Sequence, residues 1–141
     1  MEVKDIMSHP VVSIHPGESV EVAARTMAHY NVGVLPVCKN GKLCGVVTDR
    51  DIVTRCLAAG RKTHITQVGQ VMTGNVTAVR PNMDVSVAAH LMGRLQVRRL
   101  PVVEDGKLCG MVSIGDMAIR EETVLDASDA LTDVSGNVTG E

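Results

Sequence analysis

A chain of 141 residues and 15.0 kDa, 45% hydrophobic and 21% charged, is a globular sequence of one ordinary domain or two very small ones, without room for an enzyme's separate substrate and cofactor domains. With no Trp, no Phe and one Tyr it lacks the aromatic platforms on which single-stranded nucleic acid stacks, and no apolar run approaches the length of a membrane span. The net charge of −2 hides an asymmetry, because residues 121–141 hold six acids and no base, leaving 14 basic and 10 acidic groups, a charge of +4, on residues 1–120. A body of that charge suits a small anion better than a DNA duplex.

The first residues, Met1-Glu2-Val3-Lys4-Asp5, are not a charged region followed by an apolar one, which predicts a cytoplasmic protein. Val11-Val12-Ser13-Ile14 is a short β-rich run stopped by Pro16, whose ring cannot donate to a ladder. Ser19 is a suitable N-cap for a helix with Val20, Ala23, Ala24 and Met27 at i, i+3, i+4 and i+7. Val34–Cys38 and Leu43–Thr48 flank Asn40-Gly41, a strong signal for a tight hairpin. A second helix follows Thr48, runs through Ile52, Val53, Cys56 and Leu57, and stops at Gly60. Residues 61–67 then read as a linker.

The same order returns. Residues 3–55 laid over residues 68–120, a constant offset of 65, match at 21 of 53 positions. Val76-Thr77-Ala78-Val79, stopped by Pro81, repeats the first run, and Asp84 caps a helix bearing Val85, Ala88, Ala89 and Met92. Arg99–Val103 and Leu108–Ser113 flank Asp105-Gly106, and a helix begins after Ser113. The chain is therefore predicted as a tandem duplication of the α/β (α+β) class. Two β-α-β-β-α repeats cover residues 3–60 and 68–121, followed by an acidic tail, 122–141, for which helix and disorder both remain open.

Chemistry concentrates where each second helix starts. Gly45-Val46-Val47-Thr48-Asp49-Arg50-Asp51 and Gly110-Met111-Val112-Ser113-Ile114-Gly115-Asp116 both set a hydroxyl three residues before an acid. One reading is structural: the hydroxyl caps the helix and the acid faces its positive end. The other is ligand binding, with the carboxylate accepting from both hydroxyls of a ribose while helix amides and a nearby Arg such as Arg50 face a phosphate. A cap does not exclude the ligand.

With this motif present twice, each time after an Asn/Asp-Gly hairpin and a Leu-Pro-Val strand, residues 3–120 resemble the cystathionine beta-synthase (CBS) domain family, as a small stand-alone bacterial pair. The resemblance implies two repeats related by a pseudo-two-fold axis, with clefts that hold AMP, ADP, ATP, NAD or S-adenosylmethionine as a regulatory ligand, no obligatory cofactor, and a homodimer formed through helices that signals to a protein partner. Carried onto this sequence, Asp51 and Asp116 would take the ribose hydroxyls and Thr48 and Ser113 the ribose or phosphate. Val11, Val34 and Val76 would enclose the adenine, and Arg98 and Arg99 would reach a phosphate across the cleft built on Asp51. The copies differ: Gly33-Val34 faces Arg98-Arg99, and Asp49-Arg50 faces Ile114-Gly115, which implies unequal sites with the Asp51 site the tighter.

Other chemistries have less behind them. No nucleophile-base-acid set is present, so the chain reads as a non-enzyme. Arg80, Arg94, Arg98 and Arg99 could face nucleic acid but fit a solvated surface better. Five His and four Cys (Cys38, Cys44, Cys56, Cys109) invite a redox or metal role, yet no C-x-x-C pair or zinc-like spacing occurs. They read as reduced thiols.

Overall fold

The computed structural model describes residues 1–9, 11–120 and 122–139, which form two compact units, Val12–Val76 and Met1–Val11 with Thr77–Glu141. As units of packing they exchange the starts of the two sequence repeats. Residues 68–76, the opening of the second repeat, belong to the unit of the first, and residues 1–11 belong to the unit of the second.

In the Val12–Val76 unit, helix α1 (Val20–Tyr30) starts at Ser19, whose side chain accepts the Val22 N–H at 3.2 Å, and ends at Asn31 in the left-handed region. Strands β1 (Val34–Lys39) and β2 (Lys42–Thr48) pair antiparallel around Asn40 and Gly41, both at positive φ (54° and 78°), as the Asn-Gly signal predicts. A short α-turn, α2 (Asp49–Asp51), runs directly into a π-helix, Ile52–Leu57, and the chain turns away at Gly60 with φ 73°. Helix α3 (Val68–Val71) and the two-residue strand β3 (Thr73–Gly74) complete the unit, β3 lying antiparallel on β2. The core is aliphatic, with Val20, Leu35, Val37, Val47, Val68 and Val71 all buried, and the Cys56 thiol is buried among them. Burying each such aliphatic side chain contributes about 1.5–3 kcal/mol.

The other unit repeats the plan. A 3₁₀ turn at Val3–Asp5 precedes the long excursion to helix α4 (Val85–Leu95), capped by Asp84, and to strands β4 (Arg99–Glu104) and β5 (Lys107–Ser113), paired around Asp105 and Gly106. Helix α5 (Ile114–Ala118) follows, and helix α6 (Val124–Thr139) packs on α4 and α5. The tail is thus helical over 124–139, with Ala127, Ala130 and Val134 buried. Glu121 and Glu141 lie outside the described residues.

Two expectations are corrected. The runs at 11–14 and 76–79 are not strands: only Ile14 and Val79 form bridges, to Val37 and Val102, each with two backbone hydrogen bonds such as Ile14 N–H to Pro36 C=O at 3.0 Å. Ala24 is exposed, whereas its counterpart Ala89 is buried, because α6 packs on α4. Within residues 61–67, Thr66 is buried, its carbonyl accepts the Val20 N–H at 2.8 Å, and Gln67 bridges Ser19.

Candidate functional site

Thr48 and Asp51 form a reciprocal cap. Thr48 Oγ1 accepts the Asp51 N–H at 3.0 Å, and Asp51 Oδ2 accepts the Thr48 N–H at 3.0 Å. Ser113 and Asp116 do the same, at 3.1 and 2.9 Å. Both satisfy amides that a helix start leaves without partners, so the structural role read from the motif is present in both copies.

The cap uses only one oxygen of each carboxylate. Asp51 is 8% exposed, and its Oδ1 has only distant neighbours, the Thr73 hydroxyl at 3.5 Å and Arg55 Nε at 3.7 Å. These exceed ordinary hydrogen-bond lengths. The Thr73 hydroxyl is also 3.4 Å from Oδ2. Among the described residues no group donates to Asp116 Oδ1, and Asp116 is more exposed than Asp51. In each copy the carboxylate therefore keeps an oxygen that the cap does not use.

The remaining predicted residues divide between the units. Val34 stands across the ladder from Thr48, half-buried, and Val76 closes the same unit, also half-buried. Arg50 is exposed beside Asp51, its N–H held by Asp49 Oδ1 at 2.8 Å. Arg99 stands across from Ser113 at the position that Val34 takes opposite Thr48, Arg98 accepts the Ile114 N–H through its carbonyl at 3.0 Å, and both arginine residues are exposed. Val11, half-buried, belongs to this second unit.

The paired differences noted between the copies have a steric partner. A Cβ on Gly33 would lie 3.1 Å from Asp49 Oδ2, so the acid at 49 and the small residue at 33 belong together. In the other copy Arg98 faces Ile114, which is buried.

Two residues near Asp51 escaped sequence reading. Thr73 reaches it from 22 positions away, and Arg55 donates to the Val71 and Met72 carbonyls at 3.3 and 3.1 Å. The available signal was the repeated acid-and-arginine spacing: Asp51 and Arg55 recur as Asp116 and Arg120.

The cysteines are all free. Burial pushes the Cys38 thiol up, against a hydrogen bond with Ser13 that pulls it down. Among the described residues no group of three His, Cys, Asp or Glu side chains could hold a metal ion, and no helix is long and apolar enough to cross a membrane.

Comparison with known proteins gives the family. The family model of the CBS domain matches residues 3–58 and 68–123. The CBS domain-containing protein YhcV of Bacillus subtilis (strain 168) is 40% identical over 133 residues, which are 94% of each chain. Among solved structures, the CBS domain pair of MJ0100 in complex with 5′-methylthioadenosine and S-adenosyl-L-methionine is 31% identical with a TM-score of 0.75, over 84% of this chain and 93% of that one. CBSX2 in complex with AMP is 32% identical with a TM-score of 0.71, over 82% and 91%.

Proposed function

Since this chain belongs to the CBS domain family, we propose that it is a regulatory module that binds an adenosine-containing ligand and passes its occupancy to a protein partner, without catalysing a reaction. The observation that supports this reading is the divided carboxylate of Asp51: Oδ2 holds the helix start at 3.0 Å, while among the described residues the polar partners of Oδ1 stand at 3.5 Å and 3.7 Å. A ribose hydroxyl can donate to Oδ1 without breaking the cap, so structural and ligand roles coexist in one side chain.

In this reading Asp116 offers a second acceptor of the same kind, Thr48 and Ser113 border the ribose or phosphate, and Val11, Val34 and Val76 face the adenine. Arg50, Arg98 and Arg99, all exposed, supply cations for phosphate, with Arg98 and Arg99 assigned to the ligand on Asp51. Recognition of an adenosine group is supported by the AMP and S-adenosyl-L-methionine in the two related structures. A homodimer belongs to the proposal, supported by the exposed Val22, Val53 and Leu57 on helices of one unit. So does a cytoplasmic setting, where four free thiols stay reduced.

The test is thermal unfolding followed by circular dichroism with AMP, ADP, ATP, NAD and S-adenosylmethionine, in wild type and Asp51→Ala. A ligand at about 100 times its Kd stabilises by about 2.7 kcal/mol, several degrees for a protein of this size. A shift for one ligand that disappears in Asp51→Ala is the expected result. No shift with any of the five would return Asp51 to capping alone.

A further inference from the structure

Arg55 lies four residues after Asp51, in the π-helix Ile52–Leu57. Segments of π-helix are uncommon and recur at functional positions. Its guanidinium spans two separate groups: Nε is 3.7 Å from Asp51 Oδ1, while Nη1 donates to the carbonyls of Met72 at 3.1 Å and Val71 at 3.3 Å. Those carbonyls immediately precede Thr73, whose hydroxyl lies over the same carboxylate. One planar fork thus joins the acceptor proposed for ribose to the stretch of chain that carries Thr73.

A guanidinium can do this because its N–H groups point in several fixed directions, whereas a lysine ammonium is a single compact charge. Among the described residues the arrangement occurs in one unit only. Arg120 is the counterpart of Arg55, but α5 ends at Ala118, and among the described residues Arg120 Nε is buried without a hydrogen-bond partner and no Asp116–Arg120 ion pair exists. The same residue pair is built into a strut in one copy and left unjoined in the other.

We propose that Arg55 is a positioning residue of the Asp51 site: it holds Val71–Thr73 against the carboxylate, so that ligand occupancy at Asp51 is felt by this segment. This rests on the ribose reading of Asp51 above. The segment opens the second sequence repeat, so Arg55 is the point at which a ligand on the first repeat's motif acts on chain belonging to the second.

The experiment uses AMP as probe on the full chain, with wild type, Arg55→Gln, Arg55→Lys, Arg120→Gln and Asp51→Ala. Calorimetry gives the Kd, and hydrogen exchange follows the amides of residues 71–74 with and without AMP. Both Arg55 variants are expected to weaken AMP by about threefold to tenfold, the range of a partly exposed charge-assisted contact. AMP should slow exchange at 71–74 in wild type and in Arg120→Gln but not in Arg55→Gln, a difference that a uniform loss of stability would not produce. AMP binding lost in Asp51→Ala yet unchanged in Arg55→Gln, with exchange at 71–74 still slowed, would overturn the role of Arg55 alone. Absence of AMP binding to wild type would overturn this role together with the AMP form of the ribose reading.

Discussion

The carbonyl oxygen of Thr73 occupies the space in which Gly45 would carry a Cβ. Strand β3 pairs antiparallel with β2 at this point, with Gly45 opposite Gly74 and Val46 opposite Thr73, and only a residue without a side chain admits so close an approach. Gly110 faces the same demand, since a Cβ there would lie 2.8 Å from the Ser8 carbonyl oxygen. Gly45→Ala is therefore expected to cost about 2–3 kcal/mol through overpacking against backbone, read as a lower urea midpoint at unchanged m. Gly41→Ala meets no neighbour within 4 Å but must hold φ +78°, and about 1 kcal/mol of backbone strain is expected there.

The division of labour within Asp51 can be separated by one substitution. Asp51→Asn keeps an oxygen for the Thr48 N–H but loses the second acceptor, so the midpoint of unfolding should fall by only a few degrees while affinity for the stabilising nucleotide falls at least tenfold, about 1.4 kcal/mol. Asp116→Asn is expected to weaken binding less. A larger loss in Asp116→Asn, measured by calorimetry, would reverse the ranking of the two sites.

Helix α4 begins at an acid whose charge matters. Hydrogen bonds from the Ser86 hydroxyl and the Ser86 N–H hold the Asp84 carboxyl below the usual carboxylate range. A carboxyl lowered in the folded state adds stability that is complete above its unfolded value and is lost as pH falls through the folded one. The stability difference between wild type and Asp84→Ala should accordingly be largest at neutral pH and shrink steadily below about pH 4, as followed by urea unfolding at several pH values.

Docking of α6 rests on small buried residues, Ala127 at 3% and Ala130 at 2% exposure. Opposite them α4 carries Gly93, where a Cβ would come within 2.7 Å of Asp133 Oδ2. Ala130→Asp would place an unpaired charge in this contact and should cost about 2 kcal/mol or more. Hydrogen exchange is the direct readout: amides of 124–134 should lose protection while those of β4 and β5 keep theirs.

Thiol chemistry gives a test of the redox alternative. With burial raising the Cys38 thiol, its alkylation by iodoacetamide at pH 7 should be slower than that of an unstructured cysteine peptide, and its rate should climb at higher pH than for that peptide. Fast reaction at neutral pH, lost in Cys38→Ser, would favour a reactive cysteine.

What could be read along the chain was whatever depends on residues three or four apart. Ser19 and Asp84 as caps, the Thr48–Asp51 and Ser113–Asp116 boxes, and the hairpins at Asn40-Gly41 and Asp105-Gly106 are local, and they form where the sequence places them. Contacts set by distant chain were not legible. Ala24 and Ala89 are the same residue in equivalent positions, yet only Ala89 is buried, since burial is decided by a helix more than 30 positions further on. The approach of Thr73 to Asp51 depends on where β3 pairs with β2, 22 positions further on, whereas Arg55, four residues after Asp51, was marked only by the repeated acid-and-arginine spacing.

The exchange of opening segments between the two units has a consequence for how the chain is made. Val3 bonds to Met83 and Ser8 to Met111, so residues 1–11 are left waiting during synthesis until residues 77–118 have followed them. The unit spanning Val12–Val76 finds its last piece as soon as β3 emerges, and can close early. The other cannot close until the stretches on both sides of Val12–Val76 have been made. Vectorial synthesis thus imposes an order on two halves that sequence similarity makes look interchangeable, with the large sequence separation of the Val3 and Ser8 contacts slowing the second step.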